Sequence, residues 1–201
     1  MKKSLFVLLL MVISIPSFSQ YNSGGFTLDS QNLYYGIRIG MTSATIGGDR
    51  DLGAKTGMTL AGVVGARVSR NNPLFIESGL YYTERGGKNS AETVSLNYLE
   101  VPFLIKYGFA AADGVAILPF FGPYFSYALG GKIKTDAGSR SSFNNEVGYK
   151  HGDMGFKLGC GVEYNKLYLE LAYQFGVADI SSVNNISAHG NAFVANFGVN
   201  F

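Results

Sequence analysis

Read back from its last residue, the chain alternates. Phe201, Val199, Phe197, Ala195 and Phe193 occupy one parity, and Asn200, Gly198, Asn196 and Val194 occupy the other. Period-2 alternation puts successive side chains on opposite faces of a β-strand. One face of this strand is wholly apolar and the other is mostly small or polar. In a soluble antiparallel sheet the apolar face would look inward. A secreted chain ending on an aromatic residue of such a strand instead fits an outer-membrane barrel, whose apolar face meets lipid.

The same alternation recurs along the chain and predicts eight strands: Leu33–Met41, Met58–Ser69, Leu74–Glu84, Val94–Phe109, Val115–Gly130, Met154–Tyr164, Leu167–Val177 and Asn191–Phe201. The fourth is the clearest, with Leu99, Val101, Phe103, Ile105 and Tyr107 set against Tyr98, Glu100, Pro102, Leu104 and Lys106. Tight turns are expected at Arg70–Pro73, Ala110–Gly114 and Asn165–Lys166, and longer polar loops at Thr42–Gly57, Arg85–Thr93, Gly131–Asp153 and Ala178–Gly190. Long and short connections therefore alternate, as they do when short turns face the periplasm and long loops face outward. The predicted fold is all-β: an eight-stranded antiparallel up-and-down transmembrane β-barrel.

Orientation separates this fold from a soluble lipocalin-type barrel, which also has eight up-and-down strands but lines a ligand cavity with its apolar parity. The polar parity here is mainly Gly, Ala, Ser and Asn. Its charged members are Arg38, Arg67, Glu77, Glu100, Lys106, Lys157, Glu163 and Glu170, four cations and four anions. Only 15% of the chain is charged, which is sparse for a water-facing surface. An eight-stranded barrel has room inside only for packed side chains. Charges there must be paired and hydrogen-bonded, so these eight residues are expected to form an interior ion-pair network with a structural role. Tyr34, Tyr35, Tyr82, Tyr107, Tyr164 and Tyr168, near strand ends, suit interfacial aromatic girdles, although β-propensity alone would also place tyrosines there.

The N-terminus sharpens the location. Lys2 and Lys3, an apolar run from Leu5 to Ile15, and small residues Ser17 and Ser19 describe a signal peptide over residues 1–19. The run is too short to span a bilayer, which takes ~20 residues. Residues 20–201 then form the barrel domain. Removing residues 1–19 lowers Lys+Arg from 16 to 14, against 14 Asp+Glu, so the mature chain is formally neutral and offers nothing to nucleic acid. The single cysteine, Cys160, precludes an internal disulfide and falls on the apolar parity.

Leu96-Asn-Tyr-Leu-Glu-Val-Pro-Phe-Leu-Ile-Lys-Tyr107 and Phe121-Gly-Pro-Tyr-Phe-Ser-Tyr127 resemble the PorT-like family of small Gram-negative outer-membrane barrels. Gly36–Ser43 and Glu77–Tyr82 look like that family's first and third strands. The resemblance spans essentially the whole mature chain. It implies location and fold and, through the family's namesake, a link to a secretion system.

Chemistry is thinly provided. An outer-membrane enzyme needs a nucleophile or activated water beside a base. The two histidines, His151 and His189, fall in loops with Ser139, Ser141, Ser142, Ser181, Ser182, Ser187, Asp153 and Asp179 nearby, at no recognisable catalytic spacing. No ligand pair has metal-site spacing, and Gly47-Gly48-Asp49-Arg50-Asp51 is too short for a calcium loop ending in Glu. The expectation is a non-enzymatic outer-membrane protein without catalytic, cofactor or metal residues. Its partners would be outer-membrane lipid, the barrel-assembly machinery reading the strand that ends at Phe201, and a protein or surface partner at the outer loops. Its role would be structural, interaction-based or accessory to secretion. A narrow pore is the alternative, ahead of an outer-membrane enzyme and a soluble lipocalin-like binder.

Overall fold

The computed structural model describes residues 33–49, 51–69, 72–136, 138–143, 149–183 and 186–201. The expected signal peptide lies outside these residues. Ten strands form: β1 Leu33–Gly48, β2 Leu52–Arg67, β3 Leu74–Lys88, β4 Glu92–Tyr107, β5 Phe109–Ala112, β6 Val115–Thr135, β7 Gly138–Ser141, β8 Gly152–Tyr164, β9 Leu167–Gly176 and β10 Ala188–Asn200. No helix forms among the described residues.

Eight of the ten make the wall. β1 pairs with β2, then the ladder runs through β3, β4, β6, β8 and β9 to β10, which returns to β1 with Gly36 opposite Asn200 and Gly48 opposite Ala188. Every contact is antiparallel and the sheet closes on itself. Closure leaves no wall edge unpaired, which a lipid-immersed sheet requires. β5 extends β4 past Gly108, and β7 folds back along the end of β6.

The orientation is unambiguous. Phe103, Leu171 and Phe197 are 48%, 48% and 50% exposed, whereas Glu100, Lys157 and Glu170 are 1%, 1% and 0% exposed. Large apolar side chains point outward from every wall strand, from Ile37 and Ile39 on β1 to Phe193 and Phe197 on β10. The turn at Asn165–Lys166 is tight, with Asn165 at φ 54° and Tyr164 opposite Leu167. Asn tolerates this left-handed conformation, which a β-branched residue would resist.

Three expectations need correction. Thr42–Gly57 and Arg85–Thr93 are not loops: β1 runs on to Gly48 and β2 begins at Leu52, and β3 and β4 continue to a tip at residues 89–91. The expected loop Gly131–Asp153 likewise contains the end of β6, β7 and the start of β8. Sixteen residues at ~3.3 Å each, tilted by ~40°, rise about 40 Å, some 10 Å beyond a ~30 Å hydrocarbon core. The excess stands clear of the membrane at the outer end, opposite the short turns.

There the faces exchange polarity. Ser43, Thr56, Thr93, Ser95, Lys132 and Lys134 look outward, while Ile46, Leu52, Val94, Leu96, Ile133, Ile180 and Ala188 pack together inside with Tyr149. The outer end is thus built like a soluble barrel on top of a membrane one. On β6 the exchange occurs at a bulge, where Asn97 lies opposite Gly130 but Tyr98 lies opposite Ala128. The extra residue re-aims the strand by one position.

The two regimes predict opposite responses to charge. Leu171→Arg, mid-strand on the lipid face, should destabilise the barrel by ~2–4 kcal/mol in denaturant titrations in lipid vesicles. Thr56→Arg, outward on the extension, should stay within about 0.5 kcal/mol.

Candidate functional site

The lumen holds the only dense chemistry among the described residues, because the inward parity of the membrane-spanning strands carries the charges. The inner half is one connected network. Glu77 receives Lys106 at 2.7 Å, Arg38 at 3.7 Å and the Tyr34 hydroxyl at 2.6 Å. Lys106 donates to the Tyr168 hydroxyl at 2.8 Å, and Tyr168 in turn donates to Glu170 at 3.5 Å. Glu170 pairs with Lys157 at 2.7 Å and accepts from Asn196 at 3.1 Å. Arg38 donates to Asn200 at 2.6 Å, and Asn200 donates to Glu163 at 2.6 Å. Three cations meet three carboxylates. The Arg38 guanidinium also lies 4.0 Å from the Tyr168 ring centroid, a desolvated cation–π contact.

Two glycines make room for this. Gly65 lies opposite Tyr34 on the neighbouring strand, and Gly161 lies under the Tyr168 ring. In each case a Cβ would meet the tyrosine ring.

Nearer the outer end sits a second cluster, separated from the first by a layer of Leu104, Phe120, Ala172 and Val194. Arg85 pairs with Glu100, and with Asp153 at 2.9 Å. Glu100 also accepts from Gln174 at 2.7 Å and Ser126 at 3.3 Å. Arg85 rests 5.2 Å from the Tyr98 ring centroid and 4.9 Å from that of Tyr124. One cation here serves two carboxylates. The void beside Arg85 and Asp153 is ≈ 10 Å³, about the volume that admits a single water.

Of the eight charged residues named from sequence, seven are buried in the lumen and lie in these clusters. Arg67 is half-buried at the end of β2, where it donates to the Ser69 carbonyl at 2.9 Å. Arg85 and Asp153 lie one residue beyond the expected strands Leu74–Glu84 and Met154–Tyr164. Arg85 follows Tyr81 and Thr83 on the same parity, so the signal was present. Tyr34 and Tyr168, expected in the girdle, point inward, since Tyr168 shares the parity of Glu170. Tyr35, Tyr82, Tyr107 and Tyr164 are exposed on the outer wall.

The histidines do not assemble a catalytic pair. The His151 ring stacks on Phe143, with centroids 4.2 Å apart, and on Tyr127 at 5.3 Å. Its Nδ1 lies 2.8 Å from the Ala128 carbonyl, and His189 Nδ1 lies 3.0 Å from the Ala178 carbonyl. A carbonyl only accepts, so each Nδ1 carries the proton. Asp153 turns inward to Arg85, away from the His151 ring stack. Cys160 is half-buried on the outer wall. No cluster of metal-ligating side chains occurs among the described residues.

A shallow cleft of ≈ 390 Å³ opens at the outer tip between Asp49, Lys150, Asp179, Ser181 and Ser187. Asp179 accepts the backbone N–H groups of Ala188 and Ser181 at 2.9 and 3.0 Å and pairs with Lys150 at 3.2 Å. The two backbone donors and the ammonium hold its carboxyl below the usual carboxylate range.

The charge count of the outer cluster makes a prediction. Arg85→Met strands two buried carboxylates and should cost ~3–5 kcal/mol, the usual penalty for breaking a buried pair. Asp153→Asn removes the surplus anion, keeps an amide oxygen facing Arg85, and should cost no more than about 1 kcal/mol. Guanidinium titrations of both variants in lipid vesicles check the ranking.

Neisserial surface protein A is 15% identical, with 83% of this chain and 97% of that one covered and a TM-score of 0.53, a likeness of fold. Ail, the attachment invasion locus protein of Yersinia pestis, is 12% identical over 85% of this chain and 99% of its own, TM-score 0.44. The outer membrane protein OprG of Pseudomonas aeruginosa is 13% identical over 87% and 98%, TM-score 0.45. Among curated proteins no sequence matches. Residues 5–201 match the outer membrane protein beta-barrel domain. With a closed eight-stranded wall, a lipid-facing apolar band and that match over nearly its whole length, the chain belongs to the outer membrane protein beta-barrel family and resides in the outer membrane.

Proposed function

We propose that this barrel is a non-enzymatic outer-membrane protein whose lumen is a structural plug and whose work is done by its outer hairpins, as an envelope-stabilising or interaction module. The observation that carries the reading is the filling of the lumen. Two ion-pair clusters, an apolar layer between them and an apolar cap at the outer end occupy the interior, and the void beside Arg85 is ≈ 10 Å³. A conducting pore would need a continuous file of water. Breaking the plug would strand buried charges, since Glu77, Lys106, Glu100 and Glu170 each have two or more polar partners inside it.

The PorT-like resemblance favours an accessory role in secretion within this reading. The Tyr98-Leu99-Glu100-Val101-Pro102 stretch that carries it contributes Glu100 to the lumen and Leu99 to the wall. Residues 1–19 act as the export signal. The last strand, β10, engages the barrel-assembly machinery through its outward aromatics Phe193 and Phe197 and the exposed Phe201 that follows it.

Planar-bilayer recording tests the plug. The reconstituted protein should show no steady conductance, and Arg85→Ala, which enlarges the void and leaves Glu100 and Asp153 as stranded carboxylates that draw in water, should show more frequent openings than the parent. A stable open current from the parent would replace this reading with the pore.

A further inference from the structure

Just above the apolar band on one side of the barrel, β3, β4, β6 and β7 present a cationic, hydroxyl-rich face to the outside. Lys88 lies opposite Thr93, Thr93 opposite Lys134, and Lys134 opposite Ser139. On the next rung toward the membrane Ser95 lies opposite Lys132, and Lys132 opposite Ser141. Residues directly opposed on neighbouring strands share a face, and all three lysines are exposed. Lys132 and Lys134 are two residues apart, ~7 Å, and Lys88 is one intervening strand away from Lys134, ~10 Å. Their ammonium groups can therefore converge on one or two phosphates. None of the three forms an ion pair among the described residues. Of the anions nearby, Glu84 lies a rung lower on this face, opposite Asn97, and Asp136 stands in the β6–β7 turn beyond Lys134.

Height on the wall identifies the occupant. Directly below, the same strands expose Tyr82, Phe125, Tyr127 and Leu129 to lipid, with Leu99 half-buried among them. The bulge on β6 between Gly130, opposite Asn97, and Ala128, opposite Tyr98, turns Lys132 and Lys134 outward immediately above that band. A lipid whose acyl chains lie along Leu129 and Phe125 would bring its head group to the lysines. We propose that Lys88, Lys132 and Lys134, with the hydroxyls of Thr93, Ser95, Ser139 and Ser141, bind the phosphate groups of a phosphorylated glycolipid in the outer leaflet. The ammonium groups neutralise the phosphate charge while the hydroxyls donate to its remaining oxygens. The patch is continuous with the lipid-facing band, and it rests on the reading that these hairpins stand on the outer side.

The test uses the full protein in phosphatidylcholine nanodiscs doped with a diphosphorylated, multiply acylated glucosamine glycolipid or with its dephosphorylated form. Glycolipid retained per barrel is counted by mass spectrometry. The parent should retain the phosphorylated form at least tenfold better, and Lys88→Gln/Lys132→Gln/Lys134→Gln should abolish the preference, since each lysine near a charged surface contributes appreciably. The Lys→Arg triple variant should restore it. Should the glutamine triple fail to fold, the parent alone decides: its preference must fall as salt rises from 50 to 500 mM. Equal retention of both glycolipids, an unchanged triple variant, or equally tight binding of a soluble polyanion such as dextran sulfate without glycolipid would overturn the proposal. Heat-modifiable gel mobility, measured on the same samples, reports separately on the barrel; its absence would count against the membrane reading itself.

Discussion

Hydrocarbon offers no hydrogen-bond partner, and from that single constraint the rest of this molecule follows. Every N–H and C=O at membrane depth must be satisfied within the chain, so the sheet has to close, and β10 must meet β1. Closure with eight strands leaves a lumen only as wide as two packed side chains. Whatever polar groups the inward parity carries must then satisfy one another. Glu77, Lys106, Arg38 and Tyr34 do so within one hydrogen-bond length or little more, and the glycines at 65 and 161 are the concession that lets two tyrosine rings lie flat against the wall.

The polarity exchange at the outer end is the same rule with a different solvent. While a strand is in lipid, its large apolar side chains face out and its ionic ones face in. Once it rises into water the hydrophobic effect works in the usual direction, and Ile46, Leu52, Val94, Leu96 and Ile133 turn inward to make an ordinary core. That cap seals the plug from above. It also stiffens hairpins that would otherwise wave as loops, and so fixes the positions of side chains such as Lys132 and Lys134.

How much of this was legible in the sequence follows from the same physics. Wall strands read clearly wherever bulky apolar residues alternated with small or charged ones, as in Val101 to Lys106. The extensions lack the signature of a wall strand, because above the membrane the outward parity holds Ser43, Thr56, Thr93 and Ser95 in place of apolar residues. The alternation ends at Glu84 on β3 and begins at Met154 on β8, which leaves Arg85 and Asp153 outside it, and with Arg85 the cation that pairs with Glu100. Pairings were beyond reach for another reason: parity fixes which residues enter the lumen, but strand register fixes which of them meet. Nothing local to Lys106 says that its carboxylate lies on β3 rather than β8. Arg67, near the end of its strand, shows the limit of parity where a strand gives way to a turn.

The central claim is orientation, and the chain contains no tryptophan, so a single introduced one reports without background. Phe103→Trp and Phe120→Trp sit on opposite faces of adjacent strands, 48% and 3% exposed in the parent. In vesicles of lipids brominated along the acyl chains, the first should be strongly quenched and the second hardly at all. Strong quenching of Trp fluorescence in the Phe120→Trp variant, with little in Phe103→Trp, would mean that the barrel is built the other way out.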